Sequence, residues 1–295
     1  MPQIILGTDE AGYGPNLGPL VVSLTAWESP TDDLSVLFEP LANEGIRIGD
    51  SKKIYHGGSL AALETGVLVP LWAIGRCPHS SPHPTPPPEG EGTMNQGEGT
   101  INRLVCQFAM VLQQYHVKLL DMQYRAVEPE EFNQLLDQFD SKGTLLSHIT
   151  LRLIADQLEK LTRDKNSLPV LILCDKHGGR NHYLDLLTEF FPGEFFQPVQ
   201  QSRERSIYRL SSANHHWEFR FLAKGESHLP IALASMISKY QRELAMIRLN
   251  DFWRSHIPDL RPTAGYPEDA KRFKQEIAGV QKKLGINDAE LWRKR

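Results

Sequence analysis

The sequence has few cysteines, no long apolar run and only a small excess of charge of one sign. Its three cysteines, at 77, 106 and 174, have the spacing of neither a zinc site nor a disulfide framework, which favours a reducing cytoplasm. Since no run of about 18 apolar residues occurs, we expect no membrane-spanning helix. The first residues, MPQIILGTDE, lack the basic and then apolar layout of a signal peptide. We therefore expect a cytoplasmic globular protein with Cys106 and Cys174, which lie in apolar runs, in its core.

The composition is that of an ordinary globular protein, with 295 residues of which 40% are hydrophobic and 23% charged. The net charge of -4 argues against a general nucleic-acid coat protein, but the charge is unevenly distributed. Residues 224–295 carry 14 Lys or Arg against 9 Asp or Glu. This basic segment indicates either a surface that binds phosphates or a solvated helical face, and both interpretations stay open.

The periodicity of apolar residues predicts a mixed α/β sheet with helices on its faces. Two runs around a Gly- and Pro-rich turn predict a hairpin, and a proline in 66–75 suggests an edge strand there. The predicted strands are 3–10, 20–27, 66–75, 117–127, 168–175, 206–212 and 216–225. The predicted helices are 101–116, 128–139, 143–162, 183–191, 229–253 and 267–285.

We expect one α/β domain over residues 1–255 and a helical region over residues 256–295. Residues 78–99 are rich in proline and glycine and hold most of the low-complexity composition. Such a segment cannot bury enough apolar surface to offset the entropy of ordering it. It is therefore predicted to be a mobile insertion within the first domain.

Acidic residues follow several of the predicted strands. Asp9 and Glu10 end the first, Asp175 ends the apolar run LPVLILCD, and Glu226 follows the last. Adjacent carboxylates repel each other and lose hydration when buried, and a divalent cation such as Mg²⁺ removes both penalties. The alternatives are solvated acids at turns and, for Glu226, a charge that stabilises the start of a helix. Four acids at strand ends of an α/β sheet together indicate one acidic cluster.

The turn between the first two strands contains Gly12, Gly14 and Gly18, which permit positive φ angles and a close approach of a ligand to the backbone. Rigid amides beside two carboxylates suit a sugar-phosphate backbone with bound metal. The turn is not a Walker loop, because no Gly-Lys-Ser/Thr follows it. His177 and His228 lie two residues after carboxylates, and exposed loop histidines are favoured there over proton shuttles.

Five segments of the chain resemble the ribonuclease HII family, in the same order along the chain. They are DEAGYGPNLGPLVV at 9–22, DSKK at 50–53, LILCD at 171–175, KGESHLPIALASMISKYQRE at 224–243 and AGYP at 264–267. The chain departs from the family pattern at Tyr13, where arginine is usual, and at Glu226 and Glu243, where aspartate is usual. The spacing between Asp175 and Glu226 is longer than in the family, which implies an inserted hairpin or helix.

The resemblance implies a ribonuclease H-like mixed sheet flanked by helices, with a helical C-terminal extension. It also implies a Mg²⁺- or Mn²⁺-dependent endonuclease of DNA replication and repair. Such enzymes, here expected to be monomeric, cut the RNA strand of RNA/DNA hybrids or at a ribonucleotide embedded in a DNA duplex.

Carried over by position, the resemblance implies a set of catalytic and substrate-binding residues. The catalytic metal ligands would be Asp9, Glu10, Asp175 and Glu226, with Asp9 bridging two ions. The backbone of Gly12, Tyr13 and Gly14 would approach the ribonucleotide 2′-OH, which distinguishes RNA from DNA, and Tyr266 would contact the next sugar. The phosphate contacts would be Lys52, Lys53, Lys224 and Lys239.

Two other functions stay open at this point. One is a catalytically impaired ribonuclease H-like protein that only binds nucleic acid, which Tyr13 and Glu226 favour. The other is an actin-like phosphotransferase, whose first strand also ends in an aspartate and a glycine-rich loop. Glu10 argues against the second, because beside Asp9 it would repel a triphosphate that lacks metal.

Overall fold

A computed structural model describes residues 2–55, 60–76, 94–139, 141–163, 168–212 and 215–294 of the chain. In these residues the strands form one mixed sheet. They are β1 Gln3–Ala11, β2 Leu20–Ser29, β3 Lys118–Val127, β4 Val170–Asp175, β5 Gln197–Gln201, β6 Arg205–Ser211 and β7 His216–Leu222. Their order across the sheet is β3-β2-β1-β4-β7-β6-β5.

The centre of the sheet is parallel and its two sides are antiparallel. β1 forms the predicted antiparallel hairpin with β2 and runs parallel to β4, which in turn runs parallel to β7. The outer pairs β2–β3, β6–β7 and β5–β6 are antiparallel. The carboxyl ends of β1, β4 and β7 therefore meet at one edge of the sheet, where sites collect in α/β proteins.

Helices cover both faces of the sheet. They are α1 Phe38–Asn43, α2 Ser51–Ile54, α3 Ala61–Ala73, α4 Met94–Gln114, α5 Pro129–Gln138, α6 Lys142–Arg163, α7 Leu184–Phe190, α8 Leu229–His256, α9 Pro267–Leu284 and α10 Asp288–Leu291. One apolar core lies between the sheet and α5, α6 and α7, and another between the sheet and α3, α4 and α8. A third core, around Trp253 and Phe273, joins the end of α8 to α9 and α10.

The expected fold class, with its helical C-terminal region, is thus confirmed. No helix in the described ranges combines the length and the apolar character that a membrane crossing requires.

Helix α8 lies directly on β1, and this contact determines which of its residues reach the sheet edge. A Cβ atom on Gly7 would lie 2.3 Å from the carbonyl carbon of Pro230, so only glycine permits the approach. The Thr25 hydroxyl donates a hydrogen bond of 2.9 Å to the Pro230 carbonyl. Further along α8, Ser238 donates to the Asp9 carbonyl at 3.1 Å.

One predicted strand is wrong, and the predicted insertion is described only in part. Residues 66–75, predicted as a strand, belong mostly to helix α3, which packs Leu63 and Val67 into the core. A helix that is apolar on nearly every side has no period that distinguishes it from a buried strand. Of the insertion predicted at 78–99, residues 94–99 form the start of α4. Residues 78–93 lie outside the described ranges.

Two smaller features also differ from expectation. β5, with the sequence QPVQQ, was not predicted, because a short polar edge strand gives no apolar pattern. Cys174 is buried as expected, but Cys106 is exposed on the outer side of α4. An apolar run in an amphipathic helix includes positions that face away from the core.

Candidate active site at the carboxyl edge of the central strands

The four predicted carboxylates lie at the edge where the three parallel strands end. Asp9 and Glu10 are in the last residues of β1, and Asp175 is the last residue of β4. Glu226 lies in the short 3₁₀ turn Gly225–Ser227 that follows β7. The charge of Asp175 raises the pKa of each of the other three, although less than burial does, so Asp175 lies within electrostatic range of all three.

Burial is the main cause of the raised pKa of every carboxyl group in this acidic cluster. For Asp9 the charges of Glu10 and Asp175 add to burial, and the pKa rises well above its ordinary value. Burial and then the charge of Asp175 raise the pKa of Glu10 to about 7. A cluster that resists its own ionisation attracts protons or cations near neutral pH.

Hydrogen bonds hold two of these carboxylates from behind. The backbone N–H of Gly225 donates to Asp175 Oδ1 at 2.9 Å, and the Ser235 hydroxyl donates to Glu226 Oε1 at 2.8 Å. Ser51 Oγ lies 3.0 Å from Ser235 Oγ, which links α2 to α8 behind the cluster. Neither serine was predicted from the sequence, although Ser51 lies in the DSKK segment and Ser235 lies in ASMISK at 234–239.

Both lysines in DSKK are exposed, and the charge of one of them acts on the acidic cluster. The positive charge of Lys52 lowers the pKa of Glu10, Asp175 and Glu226, against the stronger effect of burial. The Lys53 side chain is 81% exposed and its ammonium group lies 3.5 Å from Asp50. Lys52 therefore belongs to the site, whereas Lys53 lies at its rim.

The other predicted phosphate and sugar contacts differ in how available they are. Lys239 Nζ donates to Glu243 Oε1 at 2.6 Å and lies 4.6 Å from the centre of the Tyr55 ring, so its charge is already engaged. Lys224 is exposed and has a left-handed backbone with φ of 62°. Tyr266 is 53% exposed at the start of α9.

The glycine turn after β1 lies against two buried arginines, one of which hydrogen-bonds to it. Gly12 has φ of 88°, and a Cβ atom there would lie 2.9 Å from the Arg242 side chain. Arg293, which is 3% exposed, donates hydrogen bonds to the carbonyl oxygens of Gly12 and Tyr13. Its guanidinium lies 3.9 Å from the centre of the Phe132 ring, and burial lowers its pKa to about 10. Sequence reasoning missed Arg293, because no motif marks a residue so far along the chain.

The two histidines near the carboxylates differ from expectation in exposure. His177 is 3% exposed rather than solvent-facing, and its Nδ1 lies 3.0 Å from Ser147 Oγ. Burial, together with the charge of Arg180, lowers the pKa of His177 to about 3, so it is neutral and does not shuttle protons near pH 7. His228 is half-buried, and burial lowers its pKa also.

The donor set of the acidic cluster suits a hard divalent cation. Carboxylate oxygens are the ligands that Mg²⁺ and Mn²⁺ prefer, and a cation would offset both the cost of burying these charges and the repulsion between them. Within the described ranges, no three His, Cys, Asp or Glu side chains are already arranged to hold an ion. The fit therefore rests on the chemistry and charge of the donors.

No protein-family model and no curated protein sequence matches the chain. Among solved structures, a glutamine-to-alanine mutant of Bst-RNase HIII is similar, with a TM-score of 0.51, 14% identity, and coverage of 99% of this chain and 66% of that one. Ribonuclease HII of Archaeoglobus fulgidus, solved with PCNA, gives a TM-score of 0.45 at 16% identity, over 99% of this chain and 94% of that one. Ribonuclease H2 of Pyrococcus horikoshii OT3 gives a TM-score of 0.46 at 17% identity, with coverage of 98% of this chain and 92% of that one. The resemblance seen in the sequence is confirmed at the level of the fold, through the ribonuclease HIII structure.

Proposed function

We propose that this protein is a divalent-metal-dependent endonuclease that cuts the RNA strand of RNA/DNA hybrids or at ribonucleotides embedded in duplex DNA. The observation that carries the proposal is the acidic cluster itself. Four carboxylates lie at the ends of three parallel strands of a ribonuclease H-like sheet, and the charge of Asp175 raises the pKa of the other three. Acidic groups are kept together at such a position for chemistry rather than for stability, because their repulsion destabilises the fold.

The residues that would hold Mg²⁺ or Mn²⁺ are Asp9, Glu10, Asp175 and Glu226. Bound divalent ions would activate a water molecule and stabilise the leaving oxygen of the phosphodiester. The chain contributes the geometry: Gly225 and Ser235 fix two of the carboxylates through hydrogen bonds. Lys52 adds a positive charge at the cluster, where it would offset part of the negative charge that a nucleic acid brings.

The glycine turn would recognise the ribonucleotide. Arg293 holds the carbonyl oxygens of Gly12 and Tyr13 inward, and the space around Gly14 is open, since a Cβ atom there would meet nothing within 4 Å. A fixed backbone with open space beside it can approach a 2′-OH closely.

The exposed side chains of Lys53, Lys224 and Tyr266 would contact phosphates and a sugar at the rim of the site. Lys239 would contribute less, because Glu243 already pairs with it. We infer that the protein acts as a monomer in the cytoplasm.

Cleavage assays with Mg²⁺ and, separately, with Mn²⁺ test the function. The substrates are a DNA duplex with one ribonucleotide, an RNA/DNA hybrid and an all-DNA duplex. We expect cleavage of the first two only, and Asp9→Asn should reduce the rate by a factor on the order of 10³ or more, while exposed Asp156→Asn should not change it. An active Asp9→Asn enzyme would overturn the assignment, and metal-independent hybrid binding without cleavage would instead support the non-catalytic binding protein.

A further inference from the structure

An open cleft of about 450 Å³ lies beside the acidic cluster. Tyr13, the first residues of α6 and the loop that follows β4 line it, and its cationic side chains are Lys142 and Arg180. The carboxylates described above do not line it, so the cleft is a separate feature of the same edge of the sheet.

Two glycines in the lining of the cleft lie close to the Tyr13 hydroxyl. A Cβ atom on Gly178, whose φ is 56°, would lie 2.7 Å from the Tyr13 hydroxyl, and one on Gly143 would lie 3.7 Å from it. The hydroxyl of Tyr13 therefore rests against the backbone of both loops. Burial raises the pKa of Tyr13, the charge of Glu10 raises it further, and Arg180 lowers it. Tyr13 thus lies within range of both the acidic cluster and the cationic cleft.

Arg180 is positioned but its charge is not neutralised within the described part of the chain. Its Nη2 donates to Thr144 Oγ1 at 3.0 Å, and its backbone N–H donates to the His177 carbonyl at 3.0 Å. No described carboxylate forms an ion pair with it. A guanidinium has five N–H donors, so most remain for a ligand. A planar guanidinium beside a hydroxyl suits the oxygens of a phosphodiester, which it can bind with two parallel hydrogen bonds.

We propose that this cleft binds one backbone phosphate of the nucleic-acid substrate, displaced along the strand from the phosphate that lies over the carboxylates. The inference rests on the proposed function, because it assumes a nucleic acid at the acidic cluster. A strand that crosses this edge passes from a region where phosphate needs bound cations to one where the protein supplies its own positive charge. Arg180 would be the main charged donor, Lys142 would add to the potential, and the Tyr13 hydroxyl would donate a neutral hydrogen bond.

Binding measured in the Asp9→Asn background, where cleavage does not interfere, tests the cleft. The dissociation constant of an RNA/DNA hybrid is measured as a function of salt concentration. The parent is the Asp9→Asn protein, and each variant carries one further substitution, Arg180→Gln, Arg180→Lys or Arg152→Gln. Arg152 is an exposed arginine farther along α6 and is the matched control. We expect Arg180→Gln to weaken binding on the order of tenfold and to reduce the salt slope by about one phosphate contact, roughly 0.7 to 0.9. Arg180→Lys should keep the slope, and Arg152→Gln should change neither quantity.

Neutral methylphosphonate linkages, placed one at a time along the RNA-containing strand, identify the phosphate. A methylphosphonate at one position should weaken binding to the parent protein about tenfold. The same linkage should not further weaken binding to the Arg180→Gln protein, because the linkage and the substitution remove the same contact. Equal melting temperatures of the parent and the Arg180→Gln protein would show that the weaker binding is not caused by a folding defect. If the wild type cleaves hybrids but Arg180→Gln leaves binding and salt slope unchanged, the cleft assignment alone is wrong. If the wild type neither binds nor cleaves them, the proposed function is wrong and the cleft assignment falls with it.

Discussion

Replacing Asp9 by asparagine should stabilise the metal-free protein at neutral pH, even though it removes a proposed catalytic group. Asp9 is 9% exposed, and burial followed by the charges of Glu10 and Asp175 raises its pKa. The folded protein therefore binds protons more tightly than the unfolded chain. The resulting stability is fully present below the ordinary pKa values and is lost as the pH rises through the raised ones.

The size of the effect follows from the pKa of Glu10, which is raised from 4.5 to about 7. Each pKa unit corresponds to about 1.4 kcal/mol, so the metal-free fold loses about 3 kcal/mol between pH ~4.5 and ~7. Because Asp9 and Glu10 titrate together, this loss belongs to the pair. Asparagine removes one of the two charges, and its side-chain oxygen can still accept the hydrogen bond that the Glu10 backbone N–H donates to Asp9, so we expect it to recover about 1–3 kcal/mol at pH 8.

Urea unfolding in EDTA at pH 4 and pH 8 measures the effect, with Asp156→Asn as the exposed control. The stability of Asp9→Asn relative to the wild type should rise by about 1–3 kcal/mol from the lower to the higher pH, and that of the control should stay within about 0.5 kcal/mol. Adding Mg²⁺ at pH 8 should stabilise the wild type more than Asp9→Asn. If Asp9→Asn is destabilised equally at both pH values, the ionised carboxylate of Asp9 does not destabilise the fold and the reasoning is refuted.

Three further predictions concern the surroundings of the acidic cluster. Gly7→Ala should destabilise the fold by about 2 kcal/mol or more in urea unfolding, because the added methyl group would collide with the first turn of α8. The control Gly279→Ala, on an open face of α9, should not destabilise the fold. Lys52→Gln should raise the Mn²⁺ affinity several-fold by calorimetry, since it removes a competing cation, and an unchanged affinity would contradict this. Arg293→Ala should reduce kcat/KM for hybrid cleavage on the order of tenfold by releasing the glycine turn, whereas Lys294→Ala should be neutral; equal rates for both would show that the turn needs no support.

Much of the fold could be predicted because its elements have clear periods or lengths. The hairpin, the buried strand β4 and the long helix α8 all follow from apolar patterns in the sequence. Helix α3 could not be predicted, since its uniform apolar run reflects burial and not periodicity. The polar strand β5 depends on pairing with β6, which is information from elsewhere in the chain.

The acidic cluster could be predicted from position alone, because carboxylates at the ends of parallel strands must meet at one edge. Their catalytic roles stay a prediction. The surroundings were harder, since they depend on where each side chain lies relative to the carboxylates: the charge of exposed Lys52 acts on the cluster, whereas Lys239 is paired with Glu243. Arg293 could not be predicted, because its contact depends on how the third core docks.

The hydrogen bond from Arg293 to the Gly12 carbonyl also has a consequence for the order in which the chain is synthesised and folds. The two residues are 281 positions apart, so at about 5–20 residues per second a ribosome needs roughly 15–60 s between them. Throughout that interval β1 carries its carboxylates without the partner that fixes the adjacent turn. A nascent chain that stalls before residue 293 would therefore expose an acidic edge with an unsupported turn. Translation thus sets the earliest moment at which the site can be assembled.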